Sequence, residues 1–212
     1  LPEKMRILSP VSIPHKRDLE DINDIGELMK ARHLMAMEKV SSTTDRVADI
    51  LANPDHKVLV FSEYLNVLNV IQDAPECSAV SFARVDGSVS QKGRQEAVDA
   101  FQNNPDVRVF LGQTLAAGEG LTLTGATYVI FNDLCLVPAY HAQAEDRCYR
   151  IGQKNAVTVY YQVADHPLDR TMYGLLKKKL DIIQNFEKHL DSDVATTINP
   201  QELLDAINPA TS

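Results

Sequence analysis

The chain has 212 residues, of which 44% are apolar and 24% are charged, and this globular composition excludes wholesale disorder. The 29 acidic residues outnumber the 21 basic ones, so the net charge of −8 argues against binding to nucleic acid through bulk positive charge, although it leaves room for a localised phosphate-binding edge. No apolar run approaches the roughly 18–20 residues of a membrane span, so no membrane partner is expected.

The cysteines and the first residue indicate the setting of the chain. Three cysteines are an odd number, which argues against a disulfide framework and favours a reducing, intracellular compartment. Cys135, His141 and Cys148 do not have the spacing of zinc ligands, so no metal site is predicted. Because the sequence begins with Leu1 rather than methionine, we expect it to be a piece of a longer protein.

The first 55 residues differ in pattern from the middle of the chain. The proline-rich segment 1–14 predicts an extended lead-in, and apolar residues spaced three and four apart predict a helix over 17–40. Polar residues 41–45 are candidate N-caps for a second helix, which ends at Asn53-Pro54. We therefore predict a lead-in and helical linker region over residues 1–55.

The middle of the chain, residues 56–165, alternates between strand and helix patterns. A helical pattern over 90–103 and a polar one at about 139–150 are the clearest helices. Such alternation is typical of a parallel α/β sheet. Beyond it, a long amphipathic helix and a short helix near 200–207 predict a helical extension over 166–212. Five runs predict the strands: 57–62, 79–85, 107–111, 127–132 and 157–164.

Small and polar residues follow the predicted strands at their carboxyl ends, where open parallel sheets bind their ligands. Ser62 follows the first strand, the turn Asp86-Gly87-Ser88 follows the second, and Thr114 lies in the glycine-bearing loop 112–125. Loops of this kind let backbone N–H groups approach an anion closely. Ordinary β–α turns have the same composition, so the loops alone favour plain connections over a ligand site.

The segment QAEDRCYRIGQ (143–153) is the sharper signal. Arg147 and Arg150 are three residues apart, so both guanidinium groups would project from one face of the predicted helix. Paired arginines at the edge of an α/β sheet suit the recognition of a phosphoryl group. The alternative is a surface charge pattern in which the arginines pair with Glu145 and Asp146.

Two phosphate-binding signatures are missing from the sequence. There is no G-x-x-x-x-G-K-[S/T] loop, and the spacing of Gly118, Gly120 and Gly125 does not make a G-x-G-x-x-G motif. If ATP is the ligand, another domain must hold most of the nucleotide.

Taken in order, the motifs resemble the second RecA-like lobe of superfamily 2 helicases, specifically the Swi/Snf-type DNA-translocating ATPases. The strongest match is Q-A-x-D-R-x-x-R-I-G-Q, the family's motif VI, and it follows V-F-x, D-G-S-x-S-x-x-x-R, A-G-x-G-L-x-L and A-x-x-V-I-x-x-D in family order. The resemblance covers about residues 57–163 and is strongest to annealing-helicase-like and prokaryotic or phage relatives. It implies a RecA-like parallel sheet sandwiched by helices, with helical flanks at both ends.

The resemblance also implies which residues act on the nucleotide. Arg150 would be the arginine finger that reaches the γ-phosphate of ATP bound to the first lobe, and Arg147 its companion. The residues that would organise this helix or line the interlobe cleft in motif V are Gln143, Gly118, Glu119 and Gly120. ATP and Mg²⁺ would be held mainly by an N-terminal RecA-like lobe of the same protein, so the isolated, monomeric fragment would hydrolyse little or no ATP.

A second set of residues would serve DNA, the other implied partner. These residues would lie near the DNA backbone or support it: Ser62, Asp86, Gly87, Ser88, Arg94 and Thr114. The compartment would be the cytoplasm in a prokaryote or phage, and the nucleus in a eukaryote.

Several positions depart from the family pattern. Leu115, Ala117 and Thr122 replace a usual arginine, glycine and asparagine, and Leu136-Val137-Pro138 replaces Trp-Asn-Pro, which indicates a divergent branch with an altered motif V. A divergent module that binds DNA or protein without hydrolysis is therefore an alternative. An unrelated α/β enzyme for a small molecule is a further one, but the sequence offers no nucleophile–base pair for it.

Overall fold

Short, continuously apolar strands form the centre of the sheet, because a parallel strand covered by helices has no solvent-facing side. All five residues of the central strand β2 are buried. The computed structural model describes residues 1–14, 22–78, 80–116, 120–186 and 197–208. Within these ranges, no helix is long and apolar enough to cross a membrane.

The described elements follow one another in mixed α/β order. The strands are β1 (Lys4–Val11), β2 (Val58–Ser62), β3 (Ser81–Val85), β4 (Val107–Gln113), β5 (Tyr128–Phe131) and β6 (Val157–Ala164). The helices are α1 (Ile25–Glu38), α2 (Val40–Leu51), α3 (Leu65–Asp73), α4 (Pro75–Ser78), α5 (Gln91–Asn103), α6 (Pro138–Glu145), α7 (Pro167–Phe186) and α8 (Pro200–Ile207).

The strands form one sheet in the order β1-β6-β5-β2-β4-β3, and every pair in it is parallel. In the central register, Val60 lies opposite Leu111 on one side and Ile130 on the other. All carboxyl ends of the strands therefore meet at one edge of the sheet. The predicted parallel α/β architecture is confirmed.

The sheet has six described strands, so the prediction of five was wrong by one. β1 was placed in the extended lead-in, but it pairs with β6 along its full length, from Lys4 opposite Val157 to Val11 opposite Ala164. Its sequence lacks a continuous apolar run and contains Pro10, which an edge strand tolerates because its outer side needs no hydrogen bonds.

Helices cover both faces of the sheet and divide the core into two clusters. On one face, Val47 of α2 and Leu68 of α3 share a cluster with the sheet residues Val60 and Ile130. On the other face, α5, α6, α7 and α8 pack around stacked rings of the sheet. Phe131 stacks on Phe61 and on Tyr161, with ring centroids 5.6 Å and 4.9 Å apart.

The N-terminal helices are attached to the sheet by buried polar contacts. The prediction that residues 41–45 cap α2 was wrong, because these residues lie inside the helix. The N-cap position is Lys39, whose side chain makes no capping hydrogen bond. The threonines are used elsewhere: Thr43 Oγ1 donates to Asn132 Oδ1 at 2.7 Å. Contacts therefore cross the predicted boundary after residue 55, while the domain boundaries themselves stay predictions.

The C-terminal helices match their predicted pattern. α7 buries Leu168, Met172, Leu176 and Leu180, one residue per turn, so a single stripe packs on the sheet. α8 begins after Asn199, whose side chain accepts a hydrogen bond from the backbone N–H of Gln201.

His141 lies in an unusual position for a titratable group, fully buried beside Phe131 and Tyr161. Its Nε2 accepts a hydrogen bond from the backbone N–H of Cys135 at 2.9 Å, which requires a neutral ring with its proton on Nδ1. Burial lowers the pKa of His141 to about 4. The folded state therefore favours the neutral form of the His141 ring.

We expect His141 to make the fold acid-sensitive. In the unfolded chain the ring has a pKa near 6.5, so it takes up a proton before the folded ring does as the pH falls. The stability that the neutral ring contributes is complete above about pH 6.5 and is lost towards pH 4, by about 2–3 kcal/mol at pH 4.5. Urea unfolding of wild type and His141→Gln at pH 7 and pH 4.5 measures this loss, because the glutamine Oε1 still accepts but does not titrate. Parallel pH dependences of the two proteins would contradict it.

Candidate nucleotide and nucleic-acid interface

The carboxyl ends of the central strands are joined by hydrogen bonds that close the sheet edge. Ser62 Oγ donates to Asp133 Oδ2 at 2.5 Å, and the backbone N–H of Glu63 donates to Asp133 Oδ1 at 2.8 Å. The backbone N–H of Thr114 donates to the carbonyl of Ser62 at 2.9 Å. Ser62 is completely buried, so of its two predicted roles, contact with DNA or support, the position fits support.

The Asp86-Gly87-Ser88 turn after β3 is held by its own aspartate. Asp86 Oδ1 accepts from the backbone N–H and the hydroxyl of Ser88 at 2.9 and 2.6 Å, and Arg84 Nε donates to the other carboxylate oxygen at 2.9 Å. The hydrogen bond from the Ser88 hydroxyl, followed by the smaller contribution of Arg84, lowers the pKa of Asp86. Asp86 is buried while Gly87 and Ser88 are exposed, so the aspartate shapes the turn and its neighbours face solvent.

Arg94 lies in the first turn of α5, close to the same edge. Its Nε donates to the carbonyl of Val89 at 3.0 Å, and the helix is capped by Ser90, which accepts from the backbone N–H of Gly93. A surface cavity of about 550 Å³ separates this helix from the end of the glycine-bearing loop. The cavity is lined by Val89, Gln91, Arg94, Gln95, Val98, Gly120, Leu121 and Thr122.

The glycine-bearing loop is described at its two ends. Gly118 and Glu119 lie outside the described residues, so their predicted role stays a prediction. Gly120 has φ +57°, a left-handed conformation that favours glycine, and Thr114 is 1% exposed. In the part of the chain that the structure describes, the buried Thr114 Oγ1 at the start of the loop has no hydrogen-bond partner.

The predicted helix over 139–150 ends early, so Arg147 and Arg150 do not share a helix face. α6 ends at Glu145, and both arginines lie in the following segment, residues 146–153, which we call the arginine turn. Gln153 Nε2 fixes this turn by donating to the carbonyls of Thr124, Ala126 and Cys148 at 3.1, 2.8 and 3.1 Å. The spacing of residues in a helical sequence pattern does not show that a side chain will donate hydrogen bonds to backbone carbonyls of a separate loop.

The arginine turn still brings the two arginines together. Partial burial, followed by the positive charge of Arg150, lowers the pKa of Arg147. Arg150 is exposed, and its Nη1 donates to Thr122 Oγ1 at 3.0 Å, at the end of the glycine-bearing loop. The backbone N–H of Leu123 donates to the carbonyl of Arg147 at 2.7 Å, which joins the same two segments. Motif V and motif VI are therefore in direct contact.

Of the two carboxylates in the alternative pairing, Glu145 is occupied elsewhere, whereas the charge of Asp146 does act on Arg147. The buried carboxylate of Glu145 accepts from both Arg6 and the Tyr161 hydroxyl and forms an ion pair with Lys4. Gln143 lies on α6, two residues before Glu145, and is partly buried.

Sequence reasoning missed several residues that shape the site. Arg32 of α1 is 6% exposed and donates to Glu63 at 2.5 Å and to the carbonyl of Leu134 at 2.9 Å, so α1 supports the ends of two strands. Lys4 and Arg6 were missed because their strand was not predicted. Gln153 had a signal, since it is the last residue of the motif VI match.

Residues 40–152 match the family model described as the helicase conserved C-terminal domain. The chain belongs to this family, as a Swi/Snf-type member of superfamily 2. The match covers more than half of the chain and includes β2 to β5 and both arginines of the arginine turn. The resemblance given by the motifs is thereby confirmed.

Curated relatives match more than two thirds of the chain. The human DNA annealing helicase and endonuclease ZRANB3 is 38% identical over 147 residues, which are 69% of this chain and 14% of the relative. Protein CHROMATIN REMODELING 19 of Arabidopsis thaliana is 34% identical over 159 residues, 75% of this chain and 21% of the relative. The chain thus spans well under a third of the length of these relatives.

Solved structures show the same fold. The Sulfolobus solfataricus SWI2/SNF2 ATPase core in complex with dsDNA has a TM-score of 0.70 at 22% identity and covers 98% of this chain and 50% of that one. The C-terminal domain of the same ATPase has a TM-score of 0.65 at 18% identity, with 97% of this chain and 98% of that one covered. The helicase C-terminal domain described here therefore has the predicted RecA-like lobe fold.

Proposed function

We propose that this chain is the C-terminal motor lobe of an ATP-dependent DNA translocase or remodelling helicase. In this function, Arg150 is the arginine finger and Arg147 its companion in a nucleotide site that a P-loop lobe completes. The observation that carries the proposal is the arginine turn, which places both arginines together, with Arg150 exposed and in contact with Thr122 of motif V.

The chemistry explains why the arginine belongs to a second lobe. Phosphoryl transfer depends mainly on positioning and on stabilising charge that develops on the phosphoryl oxygens, which a planar guanidinium matches well. When the arginine comes from a separate lobe, hydrolysis requires the two lobes to close. Closure then couples each hydrolysis step to movement along DNA.

ATP and Mg²⁺ are assigned mainly to an N-terminal RecA-like lobe of the same protein. The sequence contains no P-loop, and the described residues hold no group of three or more His, Cys, Asp or Glu side chains that could bind a metal ion. We assign Arg150 and Arg147 of this lobe to the nucleotide site, together with Gln143 and the motif V residues Gly118, Glu119 and Gly120.

DNA is the proposed macromolecular partner, bound through its backbone. Gly87 and Ser88 are exposed and Arg94 faces a cavity beside motif V, whereas Thr114 is buried at the same edge and, like Ser62, would support this surface rather than contact DNA. Because the chain is acidic overall, contacts from amides and hydroxyls would matter as much as those from arginines. The proposed compartment is one that holds DNA, the nucleus in a eukaryote and the cytoplasm in a prokaryote.

A non-hydrolysing DNA- or protein-binding module is the second candidate. The observation that favours it is the altered motif V, in which Leu115 is 57% exposed where an arginine is usual. Intact motif VI arginines favour the motor lobe instead.

We expect the chain on its own to release phosphate from ATP at no more than the background rate, with or without duplex DNA, because the P-loop is absent from the sequence. Phosphate release by the purified chain measures this, and the chain carrying Arg150→Ala is the control for contaminating ATPases. Turnover that the wild-type chain shows and the Arg150→Ala chain loses would contradict the assignment of the P-loop to another lobe.

A further inference from the structure

Two basic residues of the edge strand β1 hold the residues that flank the motif VI arginines. Lys4 and Arg6 are partly buried, with side chains 13% and 21% exposed, and both reach the C-terminal end of α6. Neither residue lies in the span that matches the helicase family model, which begins at residue 40. Lys4 and Arg6 themselves therefore lie outside the motifs that the family shares, while the residues they contact lie inside motif VI.

Arg6 forms a two-pronged ion pair with Glu145. Its Nε and Nη2 donate to the two carboxylate oxygens at 2.7 and 2.6 Å, and the Tyr161 hydroxyl donates to the same carboxylate at 2.7 Å. Glu145 is completely buried, and burial alone would raise its pKa, but the hydrogen bonds and charge of Arg6 outweigh this and lower it. The carboxylate therefore stays charged and fixed in direction.

Lys4 contacts the next residues of the same segment. Its Nζ lies 3.0 Å from Glu145 Oε2 and 3.5 Å from Asp146 Oδ1, and it lies over the ring of Tyr149, 4.8 Å from the centroid. Together, Lys4 and Arg6 hold residues 145, 146 and 149. Arg147 and Arg150 are the immediate neighbours of these three residues in the chain.

We propose that Lys4 and Arg6 are positioning residues for the arginine finger: β1 sets the direction of Arg147 and Arg150 by clamping the residues on either side. This inference rests on the proposed function of Arg150. An arginine finger works only within a fraction of an ångström of its productive position, and a misplacement of about 1 Å can cost about 10²-fold in rate. In the described structure, Arg6 and Lys4 act through Glu145, Asp146 and Tyr149 and not through the nucleotide.

The test uses the full-length, two-lobe protein and a variant that removes the Arg6–Glu145 part of the clamp without leaving either charge of that pair behind, while Lys4 keeps its contacts with Asp146 and Tyr149. Arg6→Met with Glu145→Gln removes both charges and keeps an amide that the Tyr161 hydroxyl can still donate to. We expect kcat for DNA-stimulated ATP hydrolysis to fall at least tenfold, while KM for ATP and DNA affinity stay within twofold. Arg46→Met is the matched control, because Arg46 contacts β1 at Ser9 and the ring of Tyr160 instead of the arginine turn, and its kcat should stay within twofold.

A double-mutant cycle separates positioning from a general structural role. Adding Arg6→Met and Glu145→Gln to the Arg150→Ala protein should lower kcat by no more than a further twofold, because the finger that the clamp positions is already gone. Arg6→Lys alone, which keeps the positive charge and one donor nitrogen opposite Glu145, should retain part of the kcat that the double variant loses.

Two results would overturn the inference: an unchanged kcat in the double variant, or an equal fall in the presence and absence of Arg150. If Arg150→Ala itself left turnover unchanged, the proposed function would fail and the inference with it. A collapse in Arg150→Ala with no effect of the clamp variant would remove the inference alone.

Discussion

Replacing Arg150 with alanine in the full-length, two-lobe protein is expected to lower kcat for DNA-stimulated ATP hydrolysis by about 10³-fold. The guanidinium acts on charge that appears only as the phosphoryl group transfers, so its loss should raise the barrier and leave substrate binding largely intact. Steady-state phosphate release with saturating duplex DNA measures kcat. Nucleotide and DNA affinities, measured separately by equilibrium binding, should stay within a few-fold of wild type.

Arg170→Ala is a suitable control for this experiment. Arg170 is an exposed arginine of α7 that pairs with Asp165, outside the arginine turn. Its removal should leave kcat unchanged, because surface ion pairs contribute little. Wild-type turnover in Arg150→Ala would instead favour the non-hydrolysing module, and Arg150 would then be a surface arginine only.

Replacing Lys39 with methionine is expected to lower the free energy of unfolding by about 3–5 kcal/mol. Lys39 is 1% exposed, and its Nζ donates to Asp169 Oδ2 at 2.8 Å and to the carbonyl of Gln162 at 3.1 Å. Methionine fills similar space but leaves the buried Asp169 carboxylate without its cation. Urea unfolding of the chain, followed by circular dichroism, measures the change.

Two further variants separate the buried pair from the helices that it joins. Lys30→Met removes an exposed lysine of α1, the helix that ends just before Lys39, and should change stability by less than about 0.5 kcal/mol. Lys39→Met with Asp169→Asn removes both charges and should recover a large part of the loss, because the asparagine oxygen can still accept the hydrogen bond from Ala164. A loss below about 1 kcal/mol in Lys39→Met would show that α1 and α2 are not fastened through this pair.

The order of strands and helices in this chain could be predicted because local patterns encode it. β2 is a continuous apolar run, and α7 repeats an apolar residue every turn, so burial by the surrounding layers is visible in the sequence itself. β1 could not be predicted in this way. Its strand character comes from pairing with β6, more than a hundred residues away, and not from its own composition.

The residues of the candidate site could be predicted from the sequence, but the geometry in which they are held could not. The spacing of Arg147 and Arg150 indicated a phosphoryl contact, yet the helix that should have presented them ends at Glu145. After this point the chain is held by two hydrogen bonds, from Gln153 to the carbonyl of Thr124 and from the backbone N–H of Leu123 to the carbonyl of Arg147. Both bonds join residues that are far apart in the sequence. In the same way, the burial of Ser62 follows from its hydrogen bond to Asp133, seventy-one residues away.

The measurement that tests the central claim most directly is the affinity of the full-length protein for ADP with Mg²⁺ and aluminium fluoride, which mimics the phosphoryl group in transfer. It should be compared between wild type and Arg150→Ala, with ADP alone as the reference ligand. If this lobe completes the nucleotide site, Arg150→Ala should lose affinity for the mimic by about 10²-fold or more and bind ADP as wild type does. Equal affinity of both proteins for the mimic would contradict the account, because Arg150 would then make no contact that forms during phosphoryl transfer.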